Sequence, residues 1–210
     1  MKDLYKNKNV LIFGLGLNDG GLGMTEFFVG QGANVTVTDN KTASDLQATL
    51  DKLAHYTSIK YHLGEILESD FIANDIIVQN PAIKPDNKYI QLARSLNKTI
   101  EMEMSLFHRL CPCPIIGITG TRGKSTTTAL IYEMLNQAFG NRVLLGGNIG
   151  KSAIRELPQL TPEQLVVLEL SSFQLDTMAR VGLSPNYALI TNIYEDHLNW
   201  HSDMNEYIKA

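Results

Sequence analysis

The run Ile116-Gly117-Ile118-Thr119-Gly120-Thr121-Arg122-Gly123-Lys124-Ser125-Thr126-Thr127-Thr128 constrains this chain more than any other stretch. The apolar segment Pro114–Ile118 reads as a buried strand, and a glycine-rich turn then opens a helix rich in Thr, Ala and Leu. Glycines let backbone N–H groups crowd around oxygens, and a helix N-terminus adds positive potential. Lys124 can reach a β- or γ-phosphate, and the Ser125 hydroxyl suits a Mg²⁺ ion. The spelling is Thr-Gly-Thr-x-Gly-Lys-Ser: where the general phosphate-loop pattern wants its first glycine stands Ile118, with Gly117 one residue earlier. An incidental lysine after a glycine turn is the bland alternative. The coincidence of strand, glycines, Gly-Lys-Ser and helix favours a nucleoside triphosphate.

Strand and helix patterns alternate along the 210 residues, which predicts an α/β fold with parallel sheets. Strands are expected at about Asn9–Gly14, Asn34–Thr38, Ile59–Tyr61, Asp75–Gln79 and Thr99–Met102, with helices near Gly23–Gln31, Asp45–Tyr56 and Asn87–Leu96. Ser44 followed by Gln47 reads as a capping box for the second helix. After Cys-Pro-Cys-Pro a second alternation begins, with strands at about Pro114–Ile118, Arg142–Leu145, Leu165–Leu170 and Tyr187–Ile193. Helices are expected after Lys124, Gly150 and Ser171, and Thr161-Pro162-Glu163 carries the signals of a short turn. The boundary is placed near Phe107–Pro114, giving domains 1–108 and 109–210. The first is a complete Rossmann-like parallel-sheet domain. The second is an unfinished P-loop ATPase domain whose half-built sheet should expose an edge strand.

Apolar residues make up 44% of the chain, enough for a core, and no run approaches the ~20 residues of a membrane span. The net charge of -4 gives no reason to expect nucleic acid or an anionic membrane as partner. Met1–Lys6 lacks the apolar core of a signal peptide, which fits a cytoplasmic protein. Cys111 and Cys113, with one proline between them, are expected to be reduced thiols in a connector. His55, His62 and His108 belong to no constellation and read as surface or packing residues.

The first strand ends in Gly14-Leu15-Gly16-Leu17-Asn18-Asp19-Gly20-Gly21, and the second ends at Asp39. This is close to a dinucleotide fingerprint with an acid for a ribose, except that Asp19 stands where the third glycine belongs. Another nucleotide-like group in the same crevice is the better expectation than a nicotinamide. In the second half, Glu169 ends a buried strand, where a carboxylate is costly without a cation; a Mg²⁺ shared with Ser125 would remove that cost. His197 follows the next strand, and Gly146-Gly147-Asn148-Ile149-Gly150 offers close approach to a ligand.

Thr119-Gly120-Thr121-x-Gly123-Lys124-Ser125, Gly147-Asn148-Ile149-Gly150, Glu169-Leu170-Ser171-Ser172-Phe173-Gln174-Leu175 and Thr191-Asn192 followed by Asp196-His197-Leu198 occur in that order. In these four motifs the chain resembles the Mur ligases of bacterial cell-wall synthesis, and the Glu169–Leu175 spelling resembles the D-glutamate-adding branch. The resemblance implies an enzyme that phosphorylates the carboxylate of UDP-N-acetylmuramoyl-L-alanine with ATP and lets the amine of D-glutamate attack the acyl phosphate. It implies that Gly120, Thr121, Gly123, Lys124, Ser125 and Thr126 cradle the ATP phosphates. Ser125 and Glu169 would hold one Mg²⁺, Glu169 and His197 a second, and Lys124, Glu169 and His197 would be catalytic. Asn148 would contact the muramoyl-alanine part, and Leu17, Asn18, Asp39, Asn40 and Lys41 the UDP moiety. A monomer in the bacterial cytoplasm is implied as well.

Three departures stand out. Arg122 replaces the family's frequent Asn before Gly-Lys, and Asn80-Pro81-Ala82 replaces Asn-Pro-Gly, so a Cβ at Ala82 is expected to crowd the UDP site. The family's carbamylated lysine follows Tyr-x-x-Ala, whereas this chain stops at Tyr207-Ile208-Lys209-Ala210 with Lys209 out of register. The chain is therefore expected to be a fragment, inactive alone. The alternatives are a sister Mur ligase, a folylpolyglutamate synthase-type ligase, or a P-loop ATPase without ligase activity.

Overall fold

The structure is a computed structural model and describes residues 3–148 and 152–210. The chain divides into two compact units between Glu103 and Met104.

The first unit holds five strands: β1 (Asn9–Phe13), β2 (Asn34–Asp39), β3 (Lys60–Leu63), β4 (Ile76–Gln79) and β5 (Thr99–Glu101). All pair in parallel, in the order β3-β2-β1-β4-β5. β1 is central and packed on both faces, which is why Val10-Leu11-Ile12-Phe13 is an unbroken apolar run, each residue at most 4% exposed. The chain winds outward from β1 to β3, then crosses back to β4. The crevice between the C-terminal ends of β1 and β4 is thus a topological switch point, where open parallel sheets bind ligands. Helices α1 (Asp19–Gly30), α2 (Gln47–Leu53), α3 (Glu68–Ala73) and α4 (Lys88–Ser95) link the strands. One core cluster gathers Leu11, Phe13, Phe71, Ile77 and Ile90.

One local expectation is corrected, and one helix was not anticipated. The capping box at Ser44 does not form. Thr42 donates its N–H and its hydroxyl to Asp45 Oδ2 (3.0 and 2.7 Å), and Ser44 Oγ bonds Thr42 Oγ1 at 2.7 Å. This turn uses the side chains a cap would need; α2 starts later, after Leu46, and Gln47 bonds Asp51 instead. Helix α3 had no clear sequence signal, being six residues long. Its buried Asp70 turns both oxygens to His62 Nδ1 at 2.8 Å, so His62 has a specific packing partner.

The second unit contains α5 (Glu103–Leu110, at the division), β6 (Ile115–Thr119), α6 (Lys124–Phe139), β7 (Val143–Gly147), β8 (Leu165–Glu169), α7 (Ser172–Arg180), β9 (Tyr187–Ile190) and α8 (Met204–Lys209). Its sheet is parallel, ordered β7-β8-β6-β9. The helix expected after Gly150 is a 3-10 segment, Ala153–Gln159, interrupted by Pro158, which supplies no N–H. Strand β9 ends at Ile190 rather than Ile193, because Thr191 and Asn192 turn to another task. All four residues of β9 are exposed, Tyr187 at 65% and Ile190 at 59%, along the sheet's edge. Cys111 and Cys113 are free thiols with sulfurs 3.5 Å apart; burial, then the neighbouring thiol, pushes Cys113 up to about 12. Among the described residues no helix is long and apolar enough to cross a membrane.

Candidate functional site

The glycine turn between β6 and α6 is held from outside. Thr121 N–H donates to the Asn192 carbonyl and Arg122 N–H to Asn192 Oδ1, both at 2.9 Å. The Arg122 carbonyl accepts from Asn192 Nδ2 (3.0 Å) and Thr191 Oγ1 (2.7 Å). This contact requires Gly120: its φ is +131°, and a Cβ there would overlap Thr191 Oγ1 and lie 2.9 Å from the Asn192 carbonyl. Thr121 is 7% exposed, and its hydroxyl bonds the Tyr207 hydroxyl at 2.9 Å and accepts from Tyr194 N–H at 2.9 Å. The Thr121 N–H and hydroxyl therefore shape the loop, whereas the Gly120 N–H has no protein acceptor among the described residues. The N–H groups of Gly123, Lys124, Ser125 and Thr126 have no protein acceptor among the described residues. They are unsatisfied donors at the N-terminus of α6, the kind of helix end that suits an anion. Lys124 Nζ folds back to the carbonyls of Gly120 (2.8 Å) and Thr121 (3.0 Å). Gly117 serves packing, since a Cβ there would lie 2.6 Å from Pro185 Cγ. That is why it does not fill the phosphate-loop position.

Strand β8 runs beside β6, pairing Ile118 with Glu169. Glu169 is 3% exposed. Asn148 donates its backbone N–H to the Glu169 carbonyl (2.8 Å) and its Nδ2 to Oε1 (2.9 Å). Oε2 is buried without a partner; the other such side-chain oxygen among the described residues is Thr38 Oγ1. An uncompensated buried carboxylate oxygen is costly, and a cation is the group that would satisfy it. Among the described residues no three His, Cys, Asp or Glu side chains group as a metal site. A cation at Glu169 would therefore need phosphate, water or hydroxyl oxygens for most of its ligands, which Mg²⁺ accepts. Ile149 and Gly150 of the glycine motif lie outside the described residues.

His197 stands on the loop after β9, with φ +56°, its N–H bonded to Asp196 Oδ1 at 2.8 Å. Its ring centroid is 5.0 Å from that of Phe173, in the first turn of α7 and four residues after Glu169. The loop leaves β9 on one side of β6, clamps the glycine turn through Asn192, and reaches the helix that follows β8 on the other side. His197 is thus carried toward the Glu169 end of the sheet. Two features went unremarked in the sequence. Ser171 and Gln174 form a full capping box on α7, although Ser-x-x-Gln is its ordinary signature. His201, 2% exposed, bonds Ser172 Oγ at 3.0 Å, and burial lowers its pKa. Lys209, at the end of α8, is exposed.

In the first unit a cavity of about 510 Å³ opens at the switch point. Asp39, Asn40 and Lys41 line it, with Gly14, Gly16, Asn80 and Ala82. Leu17, 57% exposed, and Asn18, at the N-cap of α1, are not among its lining residues. Asp39 commits both oxygens to the backbone, Oδ2 to Gly16 N–H and Oδ1 to Lys41 N–H, each at 2.9 Å. It fixes the two loops that frame the cavity. The displaced third glycine is Gly21, where a Cβ would overlap the Leu15 carbonyl. The close helix contact thus falls at Gly21, two residues after Asp19. Ala82 needs no positive φ: its N–H caps Asn80 Oδ1 at 2.9 Å in an ordinary turn. Asn80 of the Asn80-Pro81-Ala82 stretch lines the cavity, as do Ile83, Lys84, Asp86 and Asn87, which carried no motif in the sequence.

Comparison with known proteins agrees with this arrangement. Residues 8–102 match the family model of the Mur ligase MurD-like N-terminal domain, and residues 118–210 match the Mur ligase middle domain. A UDP-N-acetylmuramoylalanine--D-glutamate ligase of Roseiflexus sp. (strain RS-1) is 49% identical over 203 residues, covering 97% of this chain and 43% of the relative. One of Borreliella afzelii is 41% identical over 207 residues, covering 98% and 44%. The chain thus spans less than half the length of these relatives. The fold is shared with the crystal structure of UDP-N-acetylmuramate:L-alanyl-gamma-D-glutamyl-meso-diaminopimelate ligase from Neisseria meningitides (TM-score 0.55, 15% identity, 97% of this chain and 66% of that one). With its two units matched in order by these two models, the chain belongs to the Mur ligase family.

Proposed function

We propose that this chain carries the nucleotide-substrate and ATP sites of an ATP-dependent ligase that adds D-glutamate to UDP-N-acetylmuramoyl-L-alanine. The observation that carries the reading is Glu169: a buried carboxylate with one oxygen unpartnered, beside a strand that feeds a phosphate loop. ATP binds with its phosphates on the N–H groups of Gly123, Lys124, Ser125 and Thr126. Gly120 and Thr121 hold that turn in shape. Lys124 leaves the loop carbonyls for the β- and γ-phosphates, a short move for a flexible four-carbon stem. Ser125 and Glu169 would hold one Mg²⁺ and Glu169 with His197 a second, and such ions would supply charge neutralisation for the phosphoryl group. Phe173 keeps the His197 ring in place. Asn148 fixes Glu169 and faces the muramoyl-alanine part.

The substrate carboxylate attacks the γ-phosphorus, ADP departs, and the acyl phosphate gives the carboxylate a leaving group. The amine of D-glutamate then displaces phosphate, forming the amide. In the first unit the cavity takes the UDP end, framed by Asp39 and lined by Asn40 and Lys41. Leu17 and Asn18, exposed outside it, contact the part of the substrate that projects beyond. The protein works as a cytoplasmic monomer.

The test is product formation by the full-length protein. ADP and phosphate release that requires UDP-N-acetylmuramoyl-L-alanine and D-glutamate together supports the reading. Preference for longer muramoyl peptides or folates would move it to a sister ligase, and ATP turnover with no carboxylate substrate would replace it with a plain ATPase.

A further inference from the structure

We propose that Arg122 is a ligand of the terminal phosphate of the bound nucleotide and sets the preference of this site for a triphosphate over a diphosphate. The inference rests on the ATP site proposed above and adds a residue to it.

The argument begins with a deficit. A phosphate loop ordinarily offers a run of backbone N–H groups to the anion. Here two of them are withdrawn: Thr121 N–H is bonded to the Asn192 carbonyl and Arg122 N–H to Asn192 Oδ1, each at 2.9 Å. The Gly120 N–H stays available, and the other free donors begin at Gly123, where the amides belong to the first turn of α6. The part of the loop nearest the strand-β9 side is thus poor in backbone donors.

The same contacts fix the root of the Arg122 side chain. Its N–H is held by Asn192, and its carbonyl accepts from Asn192 Nδ2 (3.0 Å) and Thr191 Oγ1 (2.7 Å). Three hydrogen bonds therefore set this one peptide position, so little backbone entropy remains to be lost when a ligand arrives. The guanidinium itself is exposed and has no protein partner among the described residues. Arg122 also sits between the free amides of α6 and the loop that carries His197. A triphosphate seated on those amides extends its terminal phosphate toward that loop, where the carboxylate would be phosphorylated. A planar fork of five donors suits a terminal phosphate with three oxygens better than the point charge of a lysine. Lys124 alone cannot supply the missing donors, because its ammonium is a single charge shared between two phosphates.

The test measures ATP and ADP dissociation constants by titration calorimetry with the full-length protein, its Arg122→Asn and Arg122→Lys variants, and Lys124→Ala. The expected result is that Arg122→Asn weakens ATP about tenfold or more while ADP stays within about twofold. Arg122→Lys falls between, and the melting temperature is unchanged because the guanidinium contacts no protein group. Unaltered ATP affinity in Arg122→Asn, or an equal loss for ATP and ADP, overturns the proposal while leaving the ATP site intact. Failure of the unsubstituted protein to bind ATP, or indifference to Lys124→Ala, removes the ATP site and this proposal with it.

Discussion

Asn148 and Glu169 are joined twice, backbone to backbone at 2.8 Å and amide to Oε1 at 2.9 Å, so one carboxylate oxygen is satisfied and the other is left bare. On the proposed function a cation would meet that bare oxygen. Glu169→Gln keeps the Asn148 bond and removes the buried charge. In the presence of a chelator it should leave the protein as stable or more stable, by up to about 2 kcal/mol. Asn148→Ala strips the second oxygen and should cost about 1–3 kcal/mol. Chemical denaturation with chelator measures both, and the reverse ranking contradicts the assignment.

Asp39 frames the first-unit cavity by holding the N–H groups of Gly16 and Lys41. Asp39→Asn turns one acceptor oxygen into a donor facing a donor and releases one of the two loops. Binding of UDP should weaken about tenfold or more. Unchanged UDP affinity would show that the loops hold their shape without the carboxylate.

Gly120→Ala should be far costlier than Gly30→Ala. The first puts a methyl onto Thr191 Oγ1 at φ +131°, whereas the second finds no atom within 4 Å at the end of α1. Expected changes are a loss of about 1–3 kcal/mol with disrupted ATP binding for the first, and a gain of about 0.4–1 kcal/mol for the second. Urea unfolding of both variants decides the matter.

His201 makes stability depend on pH in a stated direction. Burial lowers its pKa from 6.5, outweighing the attraction of Glu206 and Asp176, and His197 pushes the same way. The unfolded chain therefore takes up the proton first as pH falls. The folded state keeps its full stability above about 6.5 and loses it as pH drops from there through the lowered value. His201→Gln should flatten that part of the stability–pH curve. A curve of unchanged slope in the variant would assign the dependence to other groups.

The strands were legible because parallel strands buried on both faces are continuous apolar runs, as in Val10–Phe13 and Val166–Leu168. The glycine turn between β6 and α6 and the carboxylate at the end of β8 were legible because a glycine run followed by a helix signal, and an apolar run ending in Glu169, mark strand ends. What sequence could not convey was competition for the same groups. Ser44 had the spelling of a cap but was taken into the Thr42–Asp45 turn. Thr121 had the spelling of a phosphate ligand but turns its hydroxyl to Tyr207, 86 residues on. The cavity lining from Ile83 to Asn87 was hidden because a loop that lines a site through its turn geometry needs no motif.

The most direct measurement is ATP affinity as a function of Mg²⁺ concentration in the unsubstituted full-length protein and in Glu169→Gln. The account predicts that Mg²⁺ strengthens ATP binding in the former and that this gain is largely lost in the variant, with ATP binding in chelator little changed. Identical Mg²⁺ dependence in the two proteins would contradict it, because the bare oxygen of Glu169 would then have no cation to meet.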